Sequence, residues 1–288
     1  MKKRRMKQIA FIKKYGRIMI GGAIILAVLI MGIFAPLMVQ WFTPLPADYD
    51  PNLTFAYEKL KAPGVDGYIW GTDQWGRDIF AQVCYGARVA VGIPVGVQIM
   101  TIIIGTIVGL ICGYYPKADA VLSRLMEAIN AIPMFVMALL FCEIFGRGIF
   151  SFIMALSLSG FIGVARLIRG RVLSIRKEEY IECEKVMGAS DLRTLFHHVL
   201  PACSNTLLVR FSTGLSGTLL SMVGLAFMSV GLSTSIPNWG VSVNLGRVMF
   251  LLQPHQVMIP AAFIVVTTFG FSMLGDGMRN VIGSGRSN

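Results

Sequence analysis

Six stretches of this chain stay apolar for about the length a helix needs to cross a bilayer, near residues 18–40, 87–114, 121–145, 149–168, 206–231 and 257–276. A span takes about 20 mostly apolar residues. Lipid offers no partner for a backbone amide, so such a run must be helical, with every hydrogen bond made inside the segment. The fold expected is therefore all-α, a polytopic membrane protein with six transmembrane helices. Composition agrees where it matters. Charged residues make up 14% of the chain, against about 25% in soluble proteins, and the mean hydropathy is +0.68.

The net charge of +11 would suggest nucleic-acid binding in a soluble chain. Here the basic residues flank apolar runs, as they do in cytoplasmic loops, so no nucleic-acid partner is expected and membrane lipid is. Residues 1–17 carry eight bases and no acid, which reads as a cytoplasmic tail. The run at 18–40 is longer than a signal-peptide core and lacks a small-residue cleavage site, so it reads as a first transmembrane helix. Residues 41–86 read as extracytoplasmic, with Pro44, Pro46, Pro51 and Pro63 and a structured turn at Gly71–Asp78. Residues 87–276 form a five-helix core interrupted by a cytoplasmic loop at 169–203. Residues 277–288 form a second cytoplasmic tail. Arg166, Arg169, Arg171, Arg176, Lys177, Lys185 and Arg193 cluster in or beside the loop, whereas the external 232–256 segment holds only Arg247. Both termini are thus expected in the cytoplasm.

Several residues inside the spans stand out. Gly105, Gly109 and Gly113 recur every four residues, which puts them on one helix face and allows close helix approach. Glu127 and Asn130 share a face of the third span, and Pro133 should kink it. Polar groups in a span usually face the bundle interior or a wet path. A carboxylate at interface depth can instead snorkel, and Arg124 is within reach of Glu127. The five cysteines show no CxxC spacing, so neither a metal site nor a disulfide framework is expected.

The polar island in this apolar chain is Glu178-Glu179-Tyr180-Ile181-Glu182-Cys183-Glu184-Lys185-Val186-Met187-Gly188-Ala189-Ser190-Asp191, with Pro201 ten residues on. As a helix it lines up Tyr180, Cys183 and Met187 in one apolar stripe. Gly188 suits the residue after a helix end. Ser190 can cap a second helix, with Asp191 in its first turn. The loop is thus a helix–glycine–helix corner. Periodicity alone favours a plain solvated surface helix.

This stretch resembles the EAA loop of bacterial ABC importer permeases. Glu182-Cys183-Glu184 stands for Glu-Ala-Ala, Gly188 for the glycine and Leu200-Pro201 for the closing pair. Gly71-Thr72-Asp73, Gly76-Arg77-Asp78, Tyr85-Gly86-Ala87-Arg88, Ala131-Ile132-Pro133, Ala165–Gly170, Pro237-Asn238-Trp239-Gly240 and Leu274-Gly275-Asp276-Gly277 resemble the dipeptide/oligopeptide/nickel branch, C-type subunit. The resemblance implies the type I importer permease fold and a permease forming half of a pathway for peptides, or alternatively for nickel or another small solute. It implies a B-type permease as heterodimer partner, two cytoplasmic ABC ATPases and an extracytoplasmic substrate-binding lipoprotein, in a bacterial inner membrane. The loop Glu178–Asp191 with Pro201 would couple to the ATPase, Glu182 being the expected pairing acid. No cofactor is expected on this chain, which has no phosphate-loop motif. ATP and Mg would sit on the partners, so the chain itself is expected to be no enzyme. Three positions depart from the branch: Glu184 replaces a small residue, Met222 stands where glutamate is frequent, and Arg210 where an uncharged residue is usual. Arg210 either snorkels to the interface or faces the pathway, where it would favour carboxylate-bearing cargo.

Two other classes compete. An ion-coupled secondary transporter would show an inverted repeat and broken helices, and neither is visible in the sequence. A membrane enzyme would need a catalytic constellation. His197 and His198 are adjacent and His255 is remote, so none forms.

Overall fold

The computed structural model describes residues 2–45, 49–51, 54 and 58–283. Pro46 and residues 284–288 of the tail lie outside them, as do the side chains of residues 2–14 and of Lys185. Among the described residues the chain is all-α, apart from one isolated bridge between Thr72 and Asp78. Five helices are long and apolar enough to cross a membrane, and a bent pair makes a sixth span if counted as one.

Helix α1 (Lys2–Ile33) ends earlier than residue 40, and α2 (Ala35–Phe42) follows at a break. Pro36 causes it, because proline supplies no N–H to the carbonyl four residues back. Gly71–Asp78 is the expected turn. The carboxylate of Asp73 accepts from the Trp75 and Arg77 backbone N–H at 2.8 and 2.9 Å and is paired with the Arg77 guanidinium at 2.7 Å. The turn leads straight into α3 (Ile79–Tyr114), capped by Asp78, whose carboxylate accepts from Phe80 N–H at 2.8 Å. The second span therefore starts eight residues before position 87, with no separate interfacial helix.

The expected third span is two helices, α4 (Pro116–Asn130) and α5 (Met134–Phe145), at 90° to each other. Pro133 does more than kink. It bars Ile132 from the helical region, and Ile132 closes a tight turn onto Ile129 instead, at 3.1 Å. Helix α6 (Ile149–Ile175) packs along α3. A Cβ on Gly105 would lie 2.6 Å from Val164, on Gly109 2.7 Å from the Ala165 carbonyl, and on Gly113 2.5 Å from Val172. The glycine seam is the reason these two helices touch along their length. Because α6 runs on to Ile175, the loop starts there, not at 169.

Beyond the loop, α9 (Leu200–Phe227) contacts α3 and α6. A short helix α10 (Trp239–Gly246) is capped by Asn238 and wedged between α9 and α3, with buried Trp239 donating to the Val83 carbonyl at 3.0 Å. The last helix, α11 (His255–Gly283), contains the Leu274–Gly277 motif within it, so it does not end at 276. Gly275 seats α9 at Thr213 and Gly277 seats α1 at Ile18.

Candidate functional site

The polar loop folds as two joined pieces. Helix α7 (Glu179–Val186) begins after the last turn of α6. It ends where Gly188 takes φ +84°, and the Ala189 N–H reaches back to the Glu184 carbonyl at 3.2 Å. That five-residue bond around a left-handed glycine is a Schellman closure. Ser190 then caps α8 (Asp191–Thr194), accepting from the Arg193 N–H at 3.4 Å. Through one wide turn at Leu195–Val199, α8 continues into α9, so helix runs from Asp191 to Phe227. Pro201 lies inside this continuous run, two residues past the wide turn, where the helical hydrogen-bond pattern is already interrupted.

The corner is clamped to the bundle. Tyr114 at the end of α3 donates to the Asp191 carboxylate at 2.8 Å. Arg176 donates to the Gly113 and Tyr114 carbonyls at 3.2 and 2.9 Å. Arg169 grips Asp119 at the start of α4 with two bonds of 2.6 Å. Ile181 is fully buried beneath α7. On the far side the corner is bare: Tyr180, Cys183, Val186 and Met187 are exposed, the last two at 89% and 80%. Glu178, Glu179 and Glu182 are exposed as well. Glu184 points inward and accepts from His198 Nε2 at 2.9 Å. Its side chain occupies the inside of the corner, held by a residue fourteen positions further along.

A second feature lies where α3, the α4–α5 break, α6 and α9 meet. It is a cavity of about 480 Å³. Asn130, Pro133 and Arg210 line it together; Glu127 and Met222 do not. Glu127 is exposed on α4, with no ion pair to Arg124 among the described residues. Met222 is fully buried in the main core. The sequence missed the polar remainder of the wall, including Gln98, Thr101, Ser159, Thr213, Thr218 and Ser221. Gln98 and Thr101, polar residues in the middle of an apolar run, were the available signal. Gln98 Nε2 donates to Thr218 Oγ1 at 2.6 Å, and Thr218 donates on to the Gly214 carbonyl at 2.9 Å. Irregular backbone at the α4–α5 break is tolerated at membrane depth because it borders this cavity. Among the described residues no cluster of three His, Cys, Asp or Glu side chains could hold a metal.

The exposed corner and the cavity wall are thus joined by one continuous helix. Residues 105–287 match the family of binding-protein-dependent transport system inner membrane components. The chain belongs to that family. Both the corner and the α6, α9 and α11 walls of the bundle fall within the match. Similarity extends further in individual relatives. An oligopeptide transport system permease protein of Bacillus subtilis is 31% identical over 265 residues, 92% of this chain and 84% of the relative. A dipeptide transport system permease protein of Alkalihalophilus pseudofirmus is 30% identical over 272 residues, 94% and 86% of the two chains. A glutathione transport system permease protein of Pectobacterium atrosepticum is 31% identical over 235 residues, 81% and 78%. The chain is thus a multi-span membrane permease with the fold of the type I ABC importers, and not itself an enzyme.

Proposed function

We propose that this permease forms half of the pathway through which an ATP-driven importer takes up peptides. The observation that carries the reading is the unbroken helix from Asp191 to Phe227, which joins the exposed corner to the cavity wall. The cargo class follows from the relatives, which are named for oligopeptide, dipeptide and glutathione transport. The cavity suits it: amides and hydroxyls line a volume that an extended short peptide fills. Nickel fits less well, since a metal path would need imidazole, thiolate or carboxylate ligands and the lining holds none. An ion-coupled secondary transporter would not need the bare apolar corner.

In the working complex a second, B-type permease supplies the other half of the pathway. Two cytoplasmic ATPases carry ATP and Mg, and an extracytoplasmic lipoprotein delivers cargo. Both termini and the corner lie in the cytoplasm of a bacterial inner membrane. One ATPase seats α7 through Tyr180, Cys183, Val186 and Met187, and Glu182 pairs with a basic group on it. When ATP closes the ATPases, α7 is displaced, α8 and α9 move as one rod, and the wall bearing Arg210 and Thr213 moves with them. A nucleotide can shift such an equilibrium only by its differential affinity for the two states.

Co-purification from native membranes, followed by uptake of labelled dipeptide into proteoliposomes, tests the reading. A complex of two permeases, two ATPases and a lipoprotein that takes up peptide only with ATP is the expected result. Uptake by the chain alone along an ion gradient would refute it.

A further inference from the structure

The cavity wall carries one charge that nothing among the described residues neutralises. Arg210 is the only charged residue lining the 480 Å³ cavity. It is half-buried, and among the described residues its guanidinium makes neither an ion pair nor a hydrogen bond. Opposite it the wall is cut back at Gly163, where an added Cβ would sit 3.5 Å from Arg210 Nη2. The acids nearby are spoken for or turned away. Asp119 is held by Arg169, Glu127 is exposed outside the cavity, and Asp276 on α11 is exposed.

Arg210 also borders a second cavity of about 290 Å³, shared with Arg171, Arg279, Asn205 and Thr206 and lined by no acid. Arg210 and Thr213 line both cavities, and in the second Arg171 donates to Thr206 Oγ1 at 3.3 Å. A guanidinium stays protonated at any physiological pH, and leaving it unpaired away from water is costly. Its planar fork matches a carboxylate with two parallel bonds.

We propose that Arg210 is a cargo-binding residue that takes the free carboxylate of the solute during passage. This rests on the import reading above, and the test separates the two. In the purified complex in lipid nanodiscs, phenylglyoxal labelling of Arg210 is followed by mass spectrometry with dialanine or dialanine amide present. In proteoliposomes, uptake of the same two compounds is compared at saturating concentration for the wild type, Arg210→Gln and Arg210→Lys. Dialanine should slow labelling of Arg210 and its amide should not. The wild type should favour dialanine by roughly tenfold, about what one charge-assisted hydrogen bond supplies. Arg210→Lys should keep the preference and Arg210→Gln should lose it. Labelling unchanged by dialanine, or a preference that survives in Arg210→Gln, would overturn the proposal. Protection of Arg210 without ATP-driven uptake would leave the carboxylate site standing and sink the import reading, whereas uptake without protection would do the reverse.

Discussion

Pro36 deprives the Gly32 carbonyl of its helical donor, and the side chain that replaces it comes from another helix. Arg88 donates to the Gly32 carbonyl at 2.6 Å and to that of Ile33 at 3.3 Å. Charged donors to orphan carbonyls are worth about 1.5–3 kcal/mol each when well formed, and less where water competes. Arg88→Ala should therefore lower the thermal stability of the purified permease by about 1–2 kcal/mol, with Arg88→Lys intermediate, read by unfolding in detergent. Asp78 offers a pH test. Its carboxyl is buried at the N-cap of α3, and burial pushes it up to about 6. The folded state therefore holds the proton more tightly than the unfolded chain. Its contribution to stability is full below the ordinary carboxylate range and is lost as pH rises through 6. Asp78→Asn, which keeps the capping oxygen, should flatten the pH dependence of unfolding between about 4 and 6. A curve as steep as the wild type's would contradict this. At this scale the sequence was legible only where backbone chemistry dictates a residue, as at Gly188 and Ser190. The partners of Arg88 and Glu184 were not, because each is set by a helix more than ten residues away.

Among the elements, the α3–α6 seam was the most legible, since a four-residue glycine repeat in an apolar run has one common use. It gives a paired prediction. Gly109→Leu places a side chain on the Ala165 carbonyl and should destabilise the bundle by about 2–3 kcal/mol, as overpacking does. Gly92 has nothing within 4 Å of its would-be Cβ. Gly92→Ala should be neutral or slightly stabilising, because alanine favours helix. Thermal unfolding of both variants decides it; equal losses would mean the seam is not close-packed. The α4–α5 break was half legible. Pro133 announced a bend, but a 90° turn depends on what borders it, and the cavity beside it is assembled from α3, α6 and α9. The corner itself showed its two helices and its glycine. What stayed hidden was that α8 is continuous with α9. Leu195–Val199 contains neither glycine nor proline, and local sequence does not say whether such a stretch is a hinge or a wide helical turn. Gly188→Pro cannot adopt φ +84°, so it should block ATP-driven uptake while the spans remain folded.

For the whole molecule, the apolar runs were enough to give the class. Span ends were not: α3, α6 and α11 run past their apolar stretches, whereas α1 stops at Ile33 and α9 at Phe227, short of residues 40 and 231. The cavity was out of reach, since its wall comes from residues spread from Val97 to Ser221. What unites the molecule is one helix, Asp191–Phe227, that starts at the exposed corner and carries part of the cavity wall. The most direct test is cysteine cross-linking in native membranes in a Cys183→Ser background, because Cys183 is itself exposed on this face, with short thiol-reactive cross-linkers at Met187→Cys, exposed, and at Ile181→Cys, buried beneath the same helix. The account predicts an adduct with a cytoplasmic ATPase from position 187 and none from 181. No ATPase adduct from 187, or labelling of 187 by an impermeant reagent added outside intact cells, would contradict it.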